Sequence, residues 1–216
     1  KEENMKTKKF TTSQLTILGL MAGILFLMAY TPLGYLNIGP LAVTFNVIPV
    51  AVCAIVLGPT GGAIAGAVFG LTSFMQAIGI GGVSALGSAL FQINPFMTAV
   101  QCFGPRILDG ICIGFIYRAV HKKANTYVSC AVTGFFSAFL NTLFFMTALI
   151  VMFGNTELIR NLMGGHNIIV GCCLMVGVNA ISEMVSSTII TAAVGTALSK
   201  AHLIPAVQIV KTDTAA

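Results

Sequence analysis

The chain has 216 residues, of which 56% are apolar and 8% charged, and its formal net charge at pH 7 is +5. A soluble domain carries about 25% charged residues, so a soluble globular protein is excluded; disorder is excluded too, because it requires low hydrophobicity and high charge. At about 20 apolar residues per membrane-spanning helix, the length allows about six or seven spans with short loops.

Six apolar runs follow one another along the chain and predict an all-α membrane protein with six transmembrane helices. The runs are 15–33, 47–58, 61–78, 97–119, 127–153 and 168–198. None shows the apolar/polar alternation of a membrane β-barrel. The second run is short and ends at Gly58-Pro59, which predicts a tight turn before the third run. We expect one domain over 15–200, with cytoplasmic segments at 1–14 and 201–216.

The basic residues predict the orientation of the spans. With both termini in the cytoplasm, the inside segments hold nine of the eleven Lys and Arg residues, as the positive-inside rule requires. They are Lys1, Lys6, Lys8, Lys9, Arg118, Lys122, Lys123, Lys200 and Lys211. The positive charge is therefore a topology signal with an attraction to anionic lipid, and no nucleic-acid partner is expected.

The predicted extracellular loops, 34–46, 79–96 and 154–167, are longer than simple connections need to be. They carry few charges but several amides, among them Asn37, Gln92 and Asn94. Within the first loop, 41–45 is predicted as a short strand or lid segment. We expect these loops to cap a substrate pocket; the alternative is that they are ordinary solvated connections.

Five polar residues lie inside the predicted spans. They are Arg106, Asp109, Asn141, Asn179 and Glu183. At a rise of about 1.5 Å per residue they lie about 14 to 22 Å below the outer ends of their runs, so three helices bring polar groups to a similar depth. Because a charge near the bilayer centre costs about 2.5–3.5 kcal/mol, such residues usually face a bundle interior or a cavity.

Two interpretations of these residues remain open. In the first, they form the floor of a pocket, where Arg106 pairs with a substrate carboxylate through parallel N–H donors and Asn141 and Asn179 bind hydroxyl or amide groups. In the second, Arg106 forms a structural ion pair with Asp109 or Glu183. The three charges sum to −1, so an anionic ligand is favoured only if one carboxyl group is protonated or points elsewhere.

Glycines at four-residue spacing predict close helix contacts, because small residues let backbones approach. Gly62, Gly66 and Gly70 form one such series, and Gly110 and Gly114 another. We interpret these as contacts within the bundle. The pair Gly19 and Gly23 on the first run is a candidate for contact with a partner protein.

Enzymatic chemistry has little support in the sequence. There is no G-x-x-x-x-G-K-[ST] motif for ATP, no G-x-S-x-G nucleophile elbow, and no set of residues that predicts a metal or other cofactor. The protein is therefore predicted not to be an enzyme. The alternative from another class is an intramembrane serine hydrolase that uses Ser84 and His166.

Several short motifs, in order, resemble the substrate-binding S component of an energy-coupling-factor (ECF) vitamin transporter. They are Leu36-Asn-Ile-Gly-Pro40, Leu57-Gly-Pro-Thr-Gly-Gly62 with Gly66 and Gly70, Asn94-Pro95-Phe96, and Pro105-Arg106-Ile-Leu-Asp109-Gly110. The resemblance covers about residues 15–200. Within the family, Asn94-Pro95-Phe96 and Pro105-Arg106 are most similar to pantothenate-type members.

The resemblance implies a binding protein in the bacterial plasma membrane that takes up a water-soluble vitamin, with pantothenate as the first expectation. A queuosine precursor, riboflavin and folate are the alternative cargoes. It also implies a coupling transmembrane protein and two ATPase subunits as partners, with the Gly19 and Gly23 face meeting the coupling protein. The substrate-binding residues are then expected to be Asn37, Gln92, Asn94, Arg106, Asn141, Asn179 and Glu183.

Overall fold

The computed structural model describes residues 11–31, 35–37, 42–82, 84–162 and 168–204. Seven helices and one two-stranded hairpin lie in these ranges. They are α1 (Thr12–Tyr30), β1 (Tyr35–Asn37), β2 (Ala42–Thr44), α2 (Val47–Ala77), α3 (Ala85–Ile93), α4 (Pro95–His121), α5 (Thr126–Phe153), α6 (Glu157–Leu162) and α7 (Ile168–Lys200). Five of the described helices, α1, α2, α4, α5 and the Asn179–Lys200 part of α7, are long and apolar enough to cross a membrane.

Helix α2 is interrupted at Gly58, which confirms the predicted turn. Gly58 has φ 75° and ψ −164°, a backbone conformation that only glycine adopts without strain. The chain folds back there: a Cβ built on Gly62 would lie 3.0 Å from Cβ of Ala54, whereas eight residues along a straight helix cover about 12 Å. Two antiparallel helical segments therefore make up α2, the first of which ends at Leu57.

The second half of α2 packs against α4 through glycine, as the spacing predicted. A Cβ on Gly62 would overlap the carbonyl of Gly110, and a Cβ on Gly66 would overlap the carbonyl of Arg106. Gly114 contacts Pro59 in the same way. Because the partners run in opposite directions along the chain, the two helices are antiparallel and their backbones touch.

Two of the predicted loops contain helices that the sequence reading missed. Helix α3 lies within 79–96, and Ser84 caps it by accepting a hydrogen bond from the Gly87 N–H at 3.1 Å. Helix α6 lies within 154–167, and its Ile159 is completely buried. Leu90 of α3 packs with Ile159 and Phe153 in one apolar cluster. Both helices are short, so their apolar residues produce too few repeats for a helical period to be visible.

The hairpin confirms the prediction of a short strand in the first loop. Strand β2 pairs antiparallel with β1, with Tyr35 opposite Thr44 and Asn37 opposite Ala42. Thr44 then leads directly into α2. The hairpin lies at the start of the short first segment of α2.

Candidate binding site

Arg106 lies on α4 in the middle of the bundle, between two aromatic rings. Its guanidinium carbon is 5.0 Å from the ring centre of Phe69 on α2 and 5.1 Å from that of Phe145 on α5. Its Nη1 donates a hydrogen bond to the main-chain oxygen of Gln101 at 3.1 Å. The Nε atom is buried without a hydrogen-bond partner. The guanidinium is thus held in a fixed plane by cation–π contacts while part of its donor capacity is unused.

Neither carboxyl group forms the ion pair with Arg106 that the second interpretation of these residues expects. Glu183 on α7 is 5% exposed, and its Oε1 accepts a hydrogen bond from the Thr44 N–H at 2.6 Å. Oδ1 of Asp109 is buried without a hydrogen-bond partner. Arg106 interacts electrostatically with both groups, but among the described residues its guanidinium hydrogen-bonds to a carbonyl and to neither carboxylate.

Carboxamides on α5, on α7 and at the start of α2 complete this region. Asn141 on α5 is 6% exposed, and its Oδ1 has no hydrogen-bond partner. Asn179, one turn before Glu183 on α7, is 4% exposed. Asn46 at the start of α2 is completely buried, and neither its Oδ1 nor its Nδ2 has a partner. We name Asn46, Arg106, Asp109, Asn141, Asn179 and Glu183 the central polar cluster.

Contacts between the helices place these residues at one level of the bundle. Gln101 of α4 donates from Nε2 to the Phe145 carbonyl of α5 at 2.9 Å, so Arg106 lies near the level of Asn141. Gly134 of α5 packs on Ser187 of α7. These two helices are antiparallel, which brings the residues one to two turns beyond Gly134 opposite Glu183. These contacts are consistent with the similar depth that residue counting predicts.

The first segment of α2 begins close to this level. The Val47 carbonyl accepts a hydrogen bond from Ser137 Oγ at 3.3 Å. Ser137 lies about 24 Å along α5 from its end at Phe153, at about 1.5 Å per residue. The segment from Val47 to Leu57 therefore lies beside only part of α5, the part that begins at Thr126. Asn46 precedes the segment at its other end, next to strand β2.

Three predicted binding residues lie apart from the cluster or outside the described part of the structure. Asn94 caps α4 by accepting a hydrogen bond from the Met97 N–H at 3.1 Å. It precedes Arg106 by about 18 Å of helix. Gln92 is exposed at the end of α3. Asn37 belongs to β1, but its side chain lies outside the described residues.

Sequence reading missed Asn46 as a candidate, since it counted this residue among the amides of the first loop. The signal that could have identified it is its place just before the short second run. A helix that starts half-way through a membrane exposes its first residues to the bundle interior. A polar residue there is therefore as good a candidate for ligand binding as a polar residue within a span.

Helix α1 shows a face without contacts. A Cβ built on Gly19 or Gly23 would meet nothing within 4 Å, and Leu20 is 60% exposed. Beside it, α1, the start of α2 and α7 border an apolar groove of about 370 Å³, lined by residues such as Met21, Pro49 and Ile190. This groove lacks the polar groups that a water-soluble ligand needs and is separate from the central polar cluster.

Comparison with known proteins identifies the family. The model of the family "ECF transporter, substrate-specific component" matches residues 13–195. This chain belongs to that family. The S component is 33% identical over 204 residues to the pantothenate transporter PanT of Leuconostoc mesenteroides, covering 90% of this chain and 94% of the relative. It is 28% identical over 208 residues to the pantothenic acid transporter PanT of Lactococcus lactis subsp. cremoris, covering 90% and 98%.

Family membership decides several of the sequence predictions. The S component is a multi-pass protein of the bacterial plasma membrane and a transporter subunit, which contradicts the hydrolase alternative. Ser84, its proposed nucleophile, caps α3, and His166 lies outside the described residues. Within the described ranges, no three His, Cys, Asp or Glu side chains are close enough together to hold a metal ion.

Proposed function

We propose that this S component binds pantothenate from outside the cell for uptake driven by separate ATPase subunits. The observation that carries the proposal is the central polar cluster, in which buried polar atoms on three helices lack hydrogen-bond partners. Leaving such an atom unpaired costs about 1–3 kcal/mol. A ligand that hydrogen-bonds to several of these atoms therefore recovers that free energy on binding. The two relatives named as pantothenate transporters support this choice of cargo.

The charges of the cluster suit a carboxylate at Arg106. Its guanidinium is oriented by Phe69 and Phe145, and its Nε is unpaired, so an incoming carboxylate finds an open donor in a fixed plane. Glu183 is committed to the Thr44 N–H and does not occupy that donor. The N-terminal end of the first α2 segment adds the partial positive charge of a helix start.

The amides of the cluster suit the rest of the molecule. Pantothenate carries an internal amide and hydroxyl groups besides its carboxylate. Asn141 offers an unpaired acceptor to a hydroxyl, and Asn179 and Glu183 lie on the neighbouring α7 face. We propose that Asn37, Gln92 and Asn94 act at the entrance, since Gln92 is exposed and the other two precede or follow loop segments.

The proposed topology has six membrane segments and both termini in the cytoplasm. The two halves of α2 count separately because the chain reverses at Gly58, and α1, α4, α5 and α7 supply the other four. In this orientation the central polar cluster opens outward beneath the β1–β2 hairpin. The basic residues at the ends of α4 and α7, such as Arg118 and Lys200, then face the cytoplasm.

A coupling transmembrane protein is proposed to bind the open face of α1. Gly19 and Gly23 leave space for a partner helix to approach its backbone, and nothing in the described structure fills it. We propose that this protein links the S component to the two ATPase subunits.

The test is ligand binding by the purified full chain, measured by calorimetry and by mass spectrometry of retained ligand. We expect saturable pantothenate binding and at least roughly 30-fold weaker binding by Arg106→Ala, because removing one partner of a buried charge pair costs 2–5 kcal/mol. Arg160→Ala removes an exposed arginine and should bind like the wild type. The analogue with an alcohol in place of the carboxylate should bind the wild type weakly.

Three outcomes would contradict the proposal. The first is a wild-type protein that retains riboflavin, folate or a queuosine precursor and does not bind pantothenate. The second is an Arg106→Ala variant with wild-type affinity. The third is equal binding of the acid and the alcohol analogue, which needs no variant and so holds even if Arg106→Ala does not fold.

A further inference from the structure

Asn46 differs from the described residues that precede the other helices. Five described residues accept a side-chain hydrogen bond from the first turn of the helix that follows them. They are Thr11, Ser84, Asn94, Asn125 and Thr156. Asn46 makes no such bond, and its own backbone is helical, with φ −63° and ψ −16°. Thr44 substitutes for it, because its Oγ1 accepts a hydrogen bond from the Asn46 N–H at 3.2 Å.

The Asn46 carboxamide is therefore not used to build the helix, and it is not used elsewhere in the described structure. Its side chain is completely buried, and both Oδ1 and Nδ2 lack a hydrogen-bond partner. Asparagine is among the residues most favoured as helix caps, but Asn46 does not cap α2. Burying its donor and its acceptor without partners lowers the stability of the fold, and no contact in the described structure compensates for this loss.

The surroundings of Asn46 place it at the floor of the proposed site. Glu183 holds the Thr44 N–H two residues before it, and Ser137 holds the Val47 carbonyl one residue after it. Asn141 follows Ser137 by one helical turn. The hairpin ends at Thr44, two residues before Asn46.

We propose that Asn46 is a specificity-determining residue that pairs with an amide group of the substrate. Its Nδ2–H donates to the substrate carbonyl, and its Oδ1 accepts from the substrate N–H. This inference rests on the proposed function, since it assigns the internal amide of the acid to Asn46 and the carboxylate to Arg106. The two residues lie on different helices and recognise different ends of one molecule.

The experiment compares pantothenate with its ester analogue, in which oxygen replaces the amide N–H. Binding of both to the purified full chain is measured by calorimetry. We expect the wild type to bind the ester roughly tenfold or more weakly, because Oδ1 then faces an acceptor instead of a donor. In Asn46→Leu, which keeps a similar side-chain volume, pantothenate should bind roughly tenfold or more weakly and the preference for the amide should disappear.

Asn125→Ala is the matched control, since Asn125 caps α5 through the Val128 N–H at 2.9 Å. It should lower thermal stability and leave the amide preference unchanged. Equal binding of amide and ester by the wild type overturns the inference, whether or not Asn46→Leu folds. A folded Asn46→Leu variant with the wild-type preference also overturns it. In both cases pantothenate binding itself persists, so the proposed function would stand.

Discussion

Two helix interfaces in this bundle use small residues in different ways. Between the second half of α2 and α4, glycine meets backbone: Gly62 contacts Gly110, and Gly66 contacts the main chain of Arg106. Between α5 and α7, Gly134 and Gly195 also allow close approach, and these two helices in addition bury many polar side chains. The buried polar residues on them are Ser129, Thr133, Ser137, Asn141, Asn179, Glu183, Ser187 and Thr191.

The contact of glycines with main chain fixes the spacing of α2 and α4. These two helices also carry buried polar atoms without hydrogen-bond partners, at Ser73, Gln101 and Asp109. The α5/α7 contact retains polar atoms without hydrogen-bond partners at Asn141, Ser187 and Thr191. Unpaired groups of this kind lower stability and are expected where a protein binds something. We infer that α4 is held by α2 so that Arg106 stays in place, while α5 and α7 provide the adaptable wall.

The largest expected effect comes from adding a side chain between the second half of α2 and α4. Gly62→Ala places a Cβ against the Gly110 carbonyl, which is backbone and cannot move aside. We expect a loss of about 3 kcal/mol in the free energy of unfolding and a marked drop in purified yield. Thermal unfolding in detergent, followed by intrinsic fluorescence or calorimetry, measures the change.

Gly19→Ala is the control for that substitution, because a Cβ there meets nothing within 4 Å. It should leave stability unchanged or raise it by up to about 1 kcal/mol, as expected for alanine in a helix. Equal stabilities of the two variants would show that the α2/α4 backbones do not touch.

This interface was largely predictable from the sequence, and the reason is periodicity. Gly62, Gly66 and Gly70 repeat every four residues, which is the spacing of one helix face, and Gly58-Pro59 marks the turn before them. The long apolar runs likewise predicted the spans closely, with α5 at Thr126–Phe153 against 127–153. Periodic features and chain-breaking residues are local, so they can be read without knowing the fold.

An intermediate effect is expected at Glu183, where α7 contacts the hairpin. Glu183→Ala removes the acceptor of the Thr44 N–H and so detaches the hairpin from α7. Hydrogen bonds to a carboxylate contribute about 1.5–3 kcal/mol. Hydrogen exchange at the Thr44 amide should therefore accelerate roughly tenfold or more, as measured by mass spectrometry of peptides that cover the hairpin.

Glu183→Gln keeps an acceptor oxygen and should retain much of the protection at Thr44. Glu157→Gln changes an exposed glutamate on α6 and should have no effect there. If exchange at Thr44 is as slow in Glu183→Ala as in the wild type, other contacts hold the hairpin in place, and Glu183 does not attach it to α7.

The long-range partners in this wall were not predictable from the sequence. Depth counting predicts that Arg106, Asn141 and Glu183 share a level, because rise per residue is fixed. It did not reveal that Glu183 binds a main-chain N–H 139 residues away, or that Arg106 stacks on aromatic rings instead of pairing with Asp109. Those choices depend on side-chain directions in three packed helices, which a linear pattern does not contain.

The smallest effects should distinguish a hydroxyl with a hydrogen-bond partner on α5 from a hydroxyl without one on α7. Ser137 Oγ donates to the Val47 carbonyl, so Ser137→Ala leaves that oxygen unpaired and should cost about 1 kcal/mol. Ser187 Oγ is buried without a partner, so Ser187→Ala removes an unpaired group and should be neutral within about 0.5 kcal/mol, or slightly stabilising. Thermal unfolding of both variants under identical detergent conditions gives the comparison. A larger loss for Ser187→Ala than for Ser137→Ala would mean that the α7 hydroxyl is paired in the membrane. The unpaired polar atoms of α5 and α7 would then be confined to the level of the central polar cluster.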